Sequence, residues 1–400
     1  MKRLLLLLIM PLFTATLVFS VDFGLLTEQP VEVQDDGNRL INYSPTFTPW
    51  FSWNGGGGLS FYISGLAALK YEKTYDDIDN NDGWAPFRIE LAYLIVNYRF
   101  HPGFYIEAGR LSYYDALGMT ALGIFDGFRL ETALPLGSVS FGAFYTGLLY
   151  KENAEIKMTV NDNLDYYKPW DWDELGAYFA SRRFLFNLRW DVPFREYNSL
   201  SFEALAQFDL NKKDETLHSQ YGEILAEFYP KGKIGLSIGA LFEAMERNGE
   251  FSGATGALAQ FKADVPGSLN DGITIAMKFS SGPWTEMLTG FSPLNSSAQG
   301  AVFPGSLSGG LALISAGYSM RPHRTFNAET NLRYFLRTYE VSGSNGSLYG
   351  GELWASLGWQ PLDDIRFTVG GGAFFPGMGN VYPSGTDILW RIKAGLTLSF

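Results

Sequence analysis

Cysteine is missing from this chain of 400 residues, and only three histidines, His101, His218 and His323, are present. Without cysteine the chain forms no disulfide, offers no thiolate to a metal ion, and carries neither a cysteine nucleophile nor a lipid-modified N-terminal cysteine. The histidines are not spaced as metal ligands, and no phosphate-binding loop is found. We therefore predict that the protein is not an enzyme and that it has no cofactor and no metal site.

Long hydrophobic runs and positive charge are also scarce. Beyond the first 20 residues no run of 18 apolar residues occurs, so no transmembrane helix is predicted. The chain has 30 Lys and Arg against 42 Asp and Glu, a net charge of −12, which argues against a nucleic-acid partner. Lys2 and Arg3 precede a short apolar stretch that continues to Phe19. This pattern predicts a secretory signal peptide, residues 1–20, cleaved after Ser20, and a mature chain of residues 21–400.

What the chain does have is aromatic residues, 16% of the total, 45 glycines and an alternation of apolar and polar residues. Residues 387–400 show it best, because every second residue back from the C-terminus is apolar, from Phe400 to Trp390. Successive side chains of a strand point to opposite faces, so this is a strand with one apolar and one wet face. The same pattern recurs along the chain, for example in residues 198–210 and 325–339.

The connections between these predicted strands alternate between short and mostly longer ones. This sorting is typical of a transmembrane antiparallel up-and-down β-barrel with short periplasmic turns and longer extracellular loops. Sixteen strands are predicted after residue 57. Residues 21–57 add either two more strands, which gives our preferred count of 18, or an N-terminal plug inside a 16-stranded barrel. Barrels of this size enclose an aqueous channel.

The C-terminal strand resembles the terminal signal by which the bacterial barrel-assembly machinery recognises outer-membrane proteins. The residues that carry this resemblance are Phe400, Leu398, Leu396 and Ile392. It implies a place in the bacterial outer membrane, with the lipid bilayer and the assembly machinery as partners. The oligomeric state stays open.

Two long loops, residues 151–174 and 282–308, have the length to fold into the barrel and narrow it. We favour the first because it is rich in acidic residues, while the second has one, Glu286. Basic residues on the wet faces of late strands would lie opposite it, so that a transverse field crosses the gap. The acidic candidates are Asp162, Asp165, Asp171, Asp173 and Glu174, and the basic candidates are Arg333, Arg337, Arg366, Arg391 and Lys393.

An acidic inward loop facing a basic wall resembles the general diffusion porins, in architecture and without their loop motif. The sequence therefore predicts a porin-like channel for passive diffusion of small hydrophilic solutes. The first alternative is a substrate-specific transporter, for example of hydrophobic compounds, with residues 21–57 as a plug. The second is a surface adhesin or structural barrel that acts through its outer loops.

Overall fold

The computed structural model describes residues 20–35, 39–75, 80–211, 215–230, 233–267, 269–282, 290–295, 301–303, 309–339 and 346–400, without the side chains of residues 80–82. The predicted signal peptide up to residue 19 and Glu286 lie outside these ranges. Across the described ranges the chain is almost entirely antiparallel β-structure. None of the helices in these ranges is long and apolar enough to cross a membrane.

The described residues contain 21 β-strands, two short α-helices and two 3-10 turns. The strands are β1 Ser20–Asp35, β2 Arg39–Tyr43, β3 Thr46–Asn54, β4 Leu59–Ala68, β5 Tyr71–Tyr75, β6 Asn80–Trp84, β7 Arg88–His101, β8 Phe104–Tyr114, β9 Leu122–Leu134, β10 Gly137–Tyr145, β11 Arg183–Pro193, β12 Asn198–Asp209, β13 Leu217–Phe228, β14 Ile234–Arg247, β15 Glu250–Val265, β16 Asp271–Ser280, β17 Leu311–His323, β18 Phe326–Arg337, β19 Leu348–Leu362, β20 Ile365–Phe375 and β21 Leu389–Ser399. The helices are α1 Lys151–Ala154 and α2 Val160–Tyr167, and the 3-10 turns are Leu175–Tyr178 and Pro376–Met378.

These 21 segments form the 18 strands of one closed barrel. β2 and β3 both pair with β1 and together make the second barrel strand, which is interrupted at Ser44 and Pro45, where proline has no N–H to give. β4 with β5, and β6 with β7, make the third and fourth barrel strands in the same way. From β8 onward each strand is a barrel strand of its own. The predicted 18-stranded antiparallel barrel is confirmed.

The ring closes between the two ends of the chain. β1 pairs with β21 from Leu26 opposite Ser399 to Asp35 opposite Trp390, and Leu25 and Phe400 exchange backbone hydrogen bonds of 3.0 and 2.9 Å. Residues 20–35 and 39–54 therefore lie in the wall. β1 continues through the polar residues 28–35, because polar residues such as Glu32 belong to its wet face and do not end it.

The outer surface of the barrel is apolar. Along β14, for example, Leu236, Ile238, Ala240 and Phe242 are exposed, whereas the alternate residues between them are buried inside the barrel. Ile275 on β16 and Ile392 on β21 are likewise about half exposed. A continuous band of uncovered aliphatic and aromatic side chains is stable only against hydrocarbon, so this surface is built to face lipid.

The interior departs from a simple water-filled lumen. Inward-facing Phe125, Leu185, Leu205 and Leu241 are almost fully buried, and they share one hydrophobic cluster with residues of three loops. Loop A is residues 115–121 between β8 and β9, loop B is residues 146–182 between β10 and β11, and loop C is residues 281–310 between β16 and β17. The described residues of these loops fold into the barrel and cover much of the inner wall from β8 to β15.

Candidate functional site

Loop A is held inside the barrel by carboxylates of the wall. Glu203 on β12 accepts hydrogen bonds from the Ala116 N–H at 2.8 Å and the Tyr113 hydroxyl at 2.5 Å. Glu223 on β13 accepts from the Leu117 N–H at 3.2 Å and the Thr120 hydroxyl at 2.6 Å. A loop in a dry interior must find acceptors for its backbone N–H groups, and these two glutamates supply them.

Loop B is anchored by Arg183, the first residue of β11, whose side chain is fully buried. Its guanidinium contacts Asp162 Oδ2 at 2.5 Å, Asp209 Oδ2 at 3.2 Å and Gln207 Oε1 at 2.9 Å. Asp162 belongs to helix α2, where it also closes a capping box with Thr159. Asp162 was predicted to line the pore, but with 1% of its surface exposed it holds the loop to the wall instead.

Residues of β7 also hold loop B. Glu90 accepts hydrogen bonds from Asn153 Nδ2 at 3.1 Å and from the Tyr178 hydroxyl at 3.2 Å, and the Arg88 guanidinium lies 4.1 Å from the centre of the Tyr150 ring. Burial, with the nearby Glu90 carboxylate, raises the pKa of Tyr178, so this hydroxyl keeps the proton that it donates. Loop B therefore folds inward.

The other acidic candidates of loop B are near the solvent. Asp171 Oδ1 accepts from the N–H groups of Asp173 and Glu174, both at 2.9 Å, and Glu174 forms an ion pair with Lys168. Asp165 and Glu174 both line a mixed-charge cavity of about 560 Å³ that extends to Arg182 and Asn211. The four acidic residues 165, 171, 173 and 174 thus remain candidates for contact with passing solutes.

Loop C is the loop that reaches the basic wall. On one side Ser292 donates its N–H to Glu243 on β14 at 2.8 Å, and its carbonyl accepts from the Tyr221 hydroxyl at 2.6 Å. On the other side the N–H groups of residues 301–303 converge on Glu352 of β19 at 2.7–2.9 Å. Phe303 stacks on Phe335, with ring centres 4.4 Å apart.

The described parts of loop C therefore contact two separate stretches of the wall: Ser292 contacts β13 and β14, and residues 301–303 contact β19. Arg391 of the eighteenth barrel strand also donates to the Ala301 carbonyl at 2.9 Å. Our ranking of the two long loops used their acidic content and therefore did not favour loop C. Loop C docks through backbone N–H groups and apolar side chains, which the charge pattern of the sequence does not reveal.

The five basic candidates all lie on inward-facing positions of β18, β20 and β21. Arg333 is paired with Glu352 at 2.5 Å. Arg391 and Lys393 share Glu32 across the seam between β21 and β1, at 3.1 and 2.9 Å. Of the other two, Arg337 contacts the Tyr349 hydroxyl at 3.2 Å, and Arg366 is exposed opposite Thr397, nearer the periplasmic end.

The sequence matches no known family profile and no curated protein. Solved structures do match in shape. OccK7 (OpdD) of Pseudomonas aeruginosa superposes with a TM-score of 0.64 and 12% identity over 95% of this chain and 99% of that chain. OccK5 (OpdH) of the same organism gives a TM-score of 0.60 at 13% identity, covering 95% and 98%. OccK2 (OpdF), solved in complex with glucuronate, gives 0.60 at 14% identity, also covering 95% and 98%.

The chain shares the barrel fold of these structures. The likeness covers nearly the full length of both chains, so it includes the N-terminal barrel strands as well as the closing one. The predicted architectural resemblance to porins is confirmed at the level of the fold. Within the described part of the barrel, no group of three or more His, Cys, Asp or Glu side chains is arranged to hold a metal ion.

Sequence reasoning missed an aromatic group on the inner wall of the barrel. Trp50 lies at the inward parity of β3, where it pairs with Ser64 of β4. Its ring stacks on Tyr62 of β4, which in turn contacts Tyr93 of β7 edge-on, and both centre-to-centre distances are 6.4 Å. Counting by twos from Trp53, which shares the outward face with Phe51, would have placed Trp50 inside.

Proposed function

We propose that this protein is a bacterial outer-membrane channel that passes small hydrophilic solutes by diffusion. The observation that carries the proposal is the closed 18-stranded wall, apolar outside, whose lumen is narrowed by three inward loops and lined on one side by basic residues. The signal peptide, residues 1–20, would export the chain. Phe400 and its apolar partners on β21 would present it to the barrel-assembly machinery.

The part of the lumen that loops A and B leave open is the side where solutes would pass. There Glu32 faces two cations, Arg391 and Lys393, so one positive charge is left over, and Arg366 adds another at an exposed position. Low-dielectric walls focus such charges on a narrow passage. We propose that this wall favours anionic solutes such as small carboxylates. The glucuronate bound by OccK2, a structural neighbour, agrees with this class.

The alternative of a transporter with an N-terminal plug has no support in the geometry, because residues 20–35 and 39–54 belong to the wall. An adhesin role would place function in the outer loops. Loops A, B and C instead use buried ion pairs and wall carboxylates to hold an inward position, which a surface-binding role does not require.

The reversal potential under a KCl gradient tests the proposal. We expect the refolded protein to favour chloride, and the double variant Arg391→Gln, Lys393→Gln to shift the reversal potential toward cation preference. Arg324→Gln is the matched control, because this exposed arginine lies in the short turn after β17. If the double variant leaves the reversal potential unchanged, as the control should, that result would contradict a role for the basic wall.

A further inference from the structure

The inner wall formed by β3, β4 and β7 carries three aromatic rings, for which the proposed charge selectivity of the basic wall gives no reason. Trp50 pairs across the ladder with Ser64, and Ser64 pairs with Tyr93, while Tyr62 pairs with Ser52 and Ile95. These register positions put the three rings on one face, which we call the aromatic patch: Trp50, Tyr62 and Tyr93. The opposite parity carries Phe51, Phe61 and Ile63, which face lipid.

The orientation of the indole is fixed by a glycine. Trp50 lies across from Gly24 of β1, and a Cβ added at Gly24 would stand 2.7 Å from the indole ring atoms. The ring therefore lies against the bare backbone of β1. A bulky ring that lies down on the wall takes less room in the lumen than one that stands upright, and it turns a π-face toward the lumen. All three rings remain partly exposed.

The aromatic patch is flanked by polar groups. Ser64 pairs with Trp50 on one neighbouring strand and with Tyr93 on the other. Its side chain is buried, and within the described residues its hydroxyl has no hydrogen-bond partner. Toward the periplasm a cavity of about 490 Å³ opens on the same strands. Its lining includes Asn54, Ser60, Asn97, Tyr105 and Glu107. Asn97 Oδ1 is likewise buried and unpartnered among the described residues.

Flat aromatic faces beside many hydrogen-bond donors and acceptors, including Arg99 and Glu107 of the cavity, fit one class of solute well. A sugar ring has faces of C–H groups, which carry slight positive charge and pack on the negative face of an aromatic ring. Its rim of hydroxyls both donates and accepts hydrogen bonds, as serine, asparagine and tyrosine side chains require. A planar aromatic solute would use the rings and leave the polar groups unsatisfied.

We infer that the aromatic patch and the adjoining cavity form a subsite for monosaccharide-sized sugar rings on their way through the lumen. The inference rests on the proposed channel function and adds a second recognition element to it. The basic wall on β20 and β21 attracts charge, whereas the aromatic patch recognises the ring itself. A neutral sugar should therefore bind, without any carboxylate.

Sugar-induced current noise in planar bilayers tests the subsite, with glucose as the neutral probe. We expect glucose to interrupt the open-channel current of the wild type in a concentration-dependent way. Tyr62→Leu and Tyr93→Leu, made separately, should each raise the half-blocking concentration about tenfold, since an aromatic contact contributes on the order of tenfold in affinity. Tyr62→Phe keeps the ring and should stay close to the wild type.

The matched control is Trp53→Leu, three residues from Trp50 on the same strand but facing lipid, which should leave the glucose effect unchanged. A wild type with open-channel current that glucose does not interrupt would overturn the subsite and leave the channel function standing. A wild type with no current would defeat the channel function itself. Interruption by benzoate but not by glucose would also overturn the inference, because the patch would then bind planar aromatic solutes.

Discussion

Release of loop B is the perturbation that the structure predicts most sharply. Arg183 is fully buried and satisfies Asp162, Asp209, Gln207 and the Leu217 carbonyl, at 2.5–3.2 Å. Replacing Asp162 by Asn keeps the size of the side chain and removes its charge. Replacing Arg183 by Met leaves two buried carboxylates without their cation.

The expected magnitude follows from the burial. Removing one partner of a buried ion pair costs about 3–5 kcal/mol, because the remaining charge is stranded in a dry site. Since about 1.4 kcal/mol is a factor of ten, the undocked form of loop B should become more populated by roughly two to three orders of magnitude for Arg183→Met. Asp162→Asn should have a smaller effect, because the neutral amide still accepts one hydrogen bond.

Single-channel recording and limited proteolysis each detect the release of loop B, independently of one another. We expect Arg183→Met to give a larger or noisier open-channel current and faster cleavage within loop B. Asp363→Asn is the control, because this exposed carboxylate lies in the short turn between β19 and β20, away from loop B. Current and cleavage that match the wild type for Arg183→Met would refute the anchoring role. A double variant, Arg183→Met with Asp162→Leu, should recover part of the loss, because it removes both charges of the pair.

Two further predictions concern loop C and the C-terminus. Glu352→Gln should loosen residues 301–303, because a neutral acceptor replaces the carboxylate on which three N–H groups converge. We expect this variant to destabilise the docked loop by about 1–3 kcal/mol and to give a larger open-channel current. An unchanged open-channel current would contradict the docking role of Glu352. Deletion of Phe400 removes the residue that exchanges two backbone hydrogen bonds with Leu25, and we expect less heat-modifiable barrel in outer-membrane fractions; assembly at the wild-type level would contradict this.

The wall was predictable because the rule that builds it is local. Residues on one parity must be apolar, and this requirement is visible in β21 and β12 without any knowledge of their neighbours. The count of 18 depended on assigning residues 21–57 to two strands, although Pro45 and Pro49 lie within this range. The structure places Pro45 between β2 and β3, where it costs no ladder donor.

The filling of the lumen was much harder to predict, because it depends on contacts between residues far apart in the chain. Glu203 and Glu352 look like ordinary wet-face residues, and nothing local shows that each receives N–H groups from a distant loop. One signal was present in the sequence. Leu185, Leu205 and Leu241 are apolar on the inward parity, where a water-filled lumen would have polar residues, and this indicates that something covers them.

The candidate site could be predicted only in part, because its contacts also join residues far apart in the chain. Asp162 looks no different in sequence from Asp171, yet one is buried against Arg183 and the other is exposed. Charge alone cannot separate an anchor from a solute contact. The basic residues were easier to place, because strand parity alone puts Arg333, Arg391 and Lys393 on the inner face.

The central claim is that this barrel encloses a continuous aqueous path narrowed by inward loops. The most direct measurement is the single-channel conductance of the refolded, full-length mature chain in a planar lipid bilayer. The account predicts discrete open steps in the wild type and larger steps when loop B is released by Arg183→Met. A bilayer that stays sealed at every voltage, with protein shown to be inserted as a folded barrel, would contradict it.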